Sequence, residues 1–135
     1  MQKLLTCLIL FWLCLSQAQA ADKETAAASS SAYVSLGKPM VLNLTSSSKR
    51  LTFLQISADV LVSDSSAEET VKTHVPAIRH SLIMLLSEQM AGDIKSPGKR
   101  EEIRQQATAR VKALLAELSG TRDETEILFS SILVQ

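Results

Sequence analysis

Two histidines, an arginine between them and scattered serines are the residues of this chain from which chemistry could be built. His74, Arg79 and His80 share the segment HVPAIRHSLIMLLSEQ, residues 74–89. On a helix the two histidines, six apart, point roughly 120° from each other. A helical metal pair instead wants a spacing of four. The serines have no Gly-x-Ser-x-Gly elbow around them, and no glycine-rich phosphate loop is present. SPGK (96–99) opens a helix and could attract an anion, but with one glycine and one lysine it reads as a structural start. No metal, cofactor or small-molecule substrate is expected, and the chain is expected to act through its surfaces rather than as an enzyme.

The compartment is read from the first twenty residues. Lys3 precedes an apolar run, Leu4 to Leu15, and SQAQA follows with Ala18 and Ala20 at the spacing of a signal-peptidase site. Twelve residues are short for a bilayer span of about 20. A secretory signal cleaved after Ala20 is expected, with an uncleaved inner-membrane anchor as the alternative. Of 135 residues, 115 would then remain, enough for one core. Cys7 and Cys14 leave with the signal, and losing Lys3 leaves 13 basic against 14 acidic groups. A balance near −1 offers no electrostatic attraction for nucleic acid.

Residues 21–32, ADKETAAASSSA, read as a flexible leader. The folded part begins near Tyr33. PMVLNL (39–44) reads as a strand, followed by a serine-rich turn and a longer strand, 51–62. There Leu54, Ile56, Ala58, Val60 and Val62 alternate with Gln55, Ser57 and Asp59. Ser65 and Ser66 are candidate N-caps of a helix whose stripe is Val71, Val75, Ile78, Leu82, Leu85 and Gln89. Pro76 cannot sit deep inside a helix, so a kink or restart is expected at Val75–Pro76. A second helix runs from Ser96–Pro97 to Ser119 along Ile103, Ala107, Val111, Leu114 and Leu118, closed by Gly120. A final strand covers 126–135. The order β-β-α-α-β predicts an α+β domain, with a small antiparallel sheet covered on one face by two main helices.

That helical phase separates the Arg-His pair. Arg79 borders the apolar stripe, where its guanidinium can reach a carboxylate or carbonyl. His80 faces outward beside Met84. Phe53, with Leu51 and Leu61, lies on the outward side of the long strand. Arg79, His80, Met84 and Phe53 are therefore the candidate partner or oligomer contacts.

HVPAIRHSLIMLLS resembles the hallmark segment of the FliL family of flagellar basal-body-associated proteins. YVSLGKPMVLNL, RLTFLQISADV, DIKSPGKREEIR and ILFSSILVQ resemble, in order, its opening strand, long second strand, second-helix start and terminal strand. The likeness covers residues 33–135. It implies a non-enzymatic periplasmic domain, related in fold to stomatin and prohibitin, that forms a homo-oligomeric ring around the stator units. It also implies a role in torque, swarming and the control of rotation in chemotaxis. The departure is the cleavable-looking signal where the family has a membrane span, which leaves a soluble periplasmic scaffold of the same fold as the other reading. N-terminal sequencing of the exported protein should begin at Ala21; Met1 on a membrane-embedded chain would restore the anchor.

Overall fold

The alternation in the long strand is what the rest of the domain is built on. The computed structural model describes residues 31–46, 51–120 and 124–135. The apolar run, most of the leader and residues 47–50 of the serine-rich turn lie outside these residues. Strand β3 (Thr52–Val62) buries Leu54, Ile56, Ala58, Val60 and Val62 on one face, each 3% exposed or less. Gln55, Ser57, Asp59 and Leu61 lie on the other face. Period-two side chains in an extended segment give this division directly.

β3 is also the only strand paired on both edges among the described residues. One edge takes β1 (Ala32–Ser35) and then β2 (Met40–Leu44), both antiparallel. The other takes β4 (Thr125–Val134), also antiparallel. The opening strand is thus broken in two. Ser35 pairs with Asp59 and Met40 with Ile56, so four residues, Leu36 to Pro39, stand opposite two. Leu36 N still donates to Ala58 O at 3.1 Å. The chain turns out of the ladder at Gly37, whose φ is +85°.

β4 carries the matching irregularity. Its partner residue jumps from Ser131, opposite Ser57, to Phe129, opposite Ala58, leaving Ser130 as an extra residue. This bulge resets the alternation. Thr125, Ile127 and Phe129 lie on the inward side before it, and Ile132 and Val134 after it. Without Ser130, Leu133 would take the inward phase in place of Ile132 and Val134.

Four helices cover the buried face. α1 (Ser65–Thr73) is capped by Asp64, whose Oδ1 accepts from the amides of Ser66 and Ala67, both at 2.9 Å. The cap is therefore one residue earlier than the expected serines. The Asp64 carboxyl is held below the usual carboxylate range, first by the Ala67 amide and then by the Ser63 hydroxyl. α1 stops at His74, and α2 (Val75–Ser87) restarts with its proline in the first turn, so of the expected kink or restart it is the restart that occurs. α2 buries Ile78, Leu82, Leu85 and Leu86.

Between α2 and the last helix, the expected loop contains a short helix, α3 (Ala91–Lys95), which buries Ala91 and Ile94. Met90 forms a parallel bridge to Thr45, and Ala91 N donates to Thr45 O at 2.9 Å. α4 (Pro97–Ser119) begins at Ser96–Pro97 and closes on Gly120 at φ +73°, as expected. Its inner stripe is Ile103, Ala107, Val111 and Leu115. Leu114 is half-buried and Leu118 is exposed, because the helix presents a ridge of steps of four and drifts away from them. The order is β-β-β-α-α-α-α-β. The α+β class with an antiparallel sheet holds; the break in the first strand, the α1–α2 split and α3 add to it. Ala32, expected in the leader, already pairs with Val62.

Gly37 supplies a clean test. A Cβ there would meet nothing within 4 Å, so substitution strains only the backbone. Gly37→Ala should cost about 1–2 kcal/mol in chemical denaturation. Gly98→Ala, equally uncrowded but helical, should be neutral or slightly stabilising.

Candidate protein-contact surface

Arg79 leaves α2 at the edge of its buried stripe and reaches the broken strand. One guanidinium nitrogen donates to Leu36 O at 2.7 Å and to Lys38 O at 2.6 Å. Those carbonyls belong to the residues that turn out of the ladder, where no strand partner can satisfy both. A planar guanidinium with its donors in a fixed fork suits two such carbonyls on one loop. Arg79 thus fastens helix to sheet edge, a carbonyl contact of the kind the helical phase implied.

The other three candidates fall on two different faces. His80 is exposed on the outer side of α2, with Met84 one turn on and 45% exposed. Phe53, 43% exposed, lies on the opposite layer, the sheet face that no described helix covers. Val41 pairs with Gln55, which pairs with Leu133, and Val41 and Leu133 are exposed on that same face. Phe53 exchanges both backbone hydrogen bonds with Gln135 at 2.8 and 2.9 Å, which holds its end of the strand in the sheet. The structure therefore separates one apolar sheet patch from one helical ridge.

A third surface joins α4 to β4. Arg104 binds Glu101 on its own helix, with Nη2 to Oε1 at 2.7 Å, and Glu126 across on β4. It also donates to Ile127 O at 3.1 Å. Arg104, then Gln105, hold Glu101 down at about 2, and Glu101 above all, with Glu126, raises Arg104 further. Ile127 N donates to Thr108 Oγ1 at 3.0 Å, and Lys112 pairs with Glu124 at 3.0 Å. KREEIRQQATAR (99–110) reads from sequence as a solvated helix face with pairs at a spacing of four. Lys99–Glu102 and Arg104–Glu101 pair at a spacing of three instead. The contacts from Arg104 to β4 were not legible, because they span more than twenty residues.

Beside this seam lies an open groove of about 570 Å3, between Arg104, Thr108, Ala109 and Lys112 on one wall and Leu61–Ser63 and Glu124–Glu126 on the other. Among the described residues no group of three His, Cys, Asp or Glu side chains is placed to hold a metal ion. No described helix is long and apolar enough to cross a membrane.

The model of one family, the flagellar basal body-associated protein FliL, matches residues 33–135. This chain belongs to the FliL family. No curated protein matches it. The matched region takes in every strand and helix described except the first residue of β1. As a FliL-family domain, the chain has a flagellar basal-body-associated role.

Arg79→Ala should lose about 1–3 kcal/mol of stability by thermal or urea unfolding, since two carbonyls lose a charged donor. His80→Ala should stay within about 0.5 kcal/mol. Equal losses would show that His80 is as deeply involved in the fold as Arg79.

Proposed function

We propose that this protein is a non-enzymatic accessory of the flagellar motor that works in the periplasm by contact, supporting stator function, torque and control of rotation. Membership of the FliL family across residues 33–135 carries this reading. The two separate apolar surfaces support it. A ring needs a head-to-tail contact between unlike patches, whereas a twofold dimer uses one patch twice. The sheet patch around Phe53 and the α2 ridge of His80 and Met84 stand on opposite layers, as a head-to-tail arrangement wants. Homo-oligomerisation into a ring beside the stator, and kinship of fold with the stomatin and prohibitin group, belong to the same proposal.

The cleavable-looking signal favours a second reading, a soluble periplasmic scaffold of this fold that works away from the motor. In both readings the domain follows the leader, and an uncleaved apolar run would tether it to the inner membrane.

Deleting the gene should leave filaments assembled while reducing swarming or swimming in viscous medium, scored by electron microscopy and tracking. Complementation with a Phe53→Ser variant should restore motility only partly, although Phe53→Ser folds. Normal motility of the deletion strain under load, with no motor component co-purifying, would leave the scaffold reading in its place.

A further inference from the structure

Asp59 is the residue of the long strand that neither the core nor the contacts above account for. It lies on the outer face of β3, half-buried, between Ser35 of β1 and Leu128 of β4. Among the described residues its carboxylate has no hydrogen-bond or ion-pair partner. Aspartate is disfavoured in strands, so nothing local explains its place in the centre of the sheet. Along the same face the next row is small, Ser57 beside Ser131. The row after that is apolar at its sides, with Val41 and Leu133 flanking Gln55. The outer face thus offers, in order, a carboxylate, a shallow step and an apolar patch.

The α2 ridge carries the complement. Pro76, His80 and Met84 are exposed at steps of four, and each such step advances about 6 Å along a helix. Alternate residues of a strand advance about 6.8 Å, so the two sets of rows match. With α2 laid opposite in direction to β3, Met84 falls on Val41 and Leu133, and His80 falls over the serine row. Small serines leave room for the ring. Helical side chains tilt toward the N-terminus of their own helix, which leans the imidazole toward Asp59.

Within one chain these two surfaces stand on opposite layers, so they meet only between copies. We propose that Asp59 of one copy binds the protonated imidazole of His80 of the next, so that the contact tightens as pH falls. This rests on the head-to-tail reading above and names the pair that sets its register and its regulation. An imidazole gains its proton as pH falls through about 6.5, whereas carboxylates stay ionised down to about pH 4. The charged pair therefore forms between those limits and is lost above them. The other titratable groups at the Asp59 face are Tyr33 and Glu126, both opposite Leu61, and Lys38 on the excursion at its edge. Glu126 is already bound by Arg104. On the His80 side, Arg79 is committed to the Leu36 and Lys38 carbonyls. α2 packs on β2, which carries no charged residue, and on α4, whose charges outside ion pairs are Arg100, Arg110 and Glu117.

Sedimentation equilibrium of the protein as isolated from cells tests the pair, run at about pH 5.5 and about pH 7.5 on either side of the imidazole range. Association should be at least about tenfold tighter at the lower pH. Asp59→Asn and His80→Gln should each remove that difference, with thermal unfolding showing both variants folded. Asp59→Lys and His80→Glu should each fail to associate alone but associate when mixed, since each then supplies the charge the other's altered surface needs. Association that is independent of pH, or unchanged in Asp59→Asn, would overturn the pairing and leave the ring reading standing. A monomer at every concentration and both pH values would overturn the pairing and the ring together.

Discussion

The pairing of β3 on both its edges is the constraint from which the rest of the domain follows. A strand with neighbours on both sides can turn only one face to the helices, and its five aliphatic residues at alternate positions decide which. A slip of one residue against either neighbour would carry that neighbour's whole apolar set to the outer face. Register is therefore held tightly, and each irregularity has to be local. The broken edge at Leu36–Pro39 and the bulge at Ser130 are both of this kind. Each absorbs extra residues and returns the strand to phase, so that Val34, Met40 and Leu42 on one side and Ile127, Ile132 and Val134 on the other reach the same core.

Both edges of the sheet are interrupted, which bears on how the protein can meet others. Free edges invite strand addition, and bulges and prolines blunt them. The first edge is broken by a four-residue excursion containing Pro39 and is met at the end of β2 by Met90; the second carries Ser130. Contact through faces is the alternative, and the faces carry the apolar surface: Val41, Phe53 and Leu133 on the sheet, Met84 on α2. The two arginines prominent in the structure, Arg79 and Arg104, are engaged within the chain, one on carbonyls of the broken strand and one on β4. They fasten α2 to the sheet edge and α4 to β4.

Much of this was legible in the residues themselves. Period-two alternation in 52–62 and steps of three and four in 75–87 specify strand and helix because each buries one face, a property of the local sequence alone. Pro76 had to kink or restart a helix and Gly120 was suited to end one, since one lacks an N–H and the other reaches positive φ without strain. That Arg79 borders the core and His80 faces outward follows from helical phase. The FliL-like order of segments was legible for the same reason: each piece is a local pattern.

What only the tertiary structure decided involves partners distant in sequence. That Leu36 and Lys38 would be the carbonyls held by Arg79 depends on a strand break visible only once Ser35 and Met40 are both paired to β3. That the last-helix stripe would run to Leu115 rather than Leu114 and Leu118 depends on which ridge the neighbouring elements accept. Arg104 looked like a surface charge because its β4 partners lie over twenty residues away. His80 and Met84 could be placed on an outer helix face and Phe53 on an outer strand face, but their standing on opposite layers required the packing of α2 over β3. Local periodicity states which side of an element is apolar; only the closed core states what lies opposite it, because burial is settled between elements and not within them.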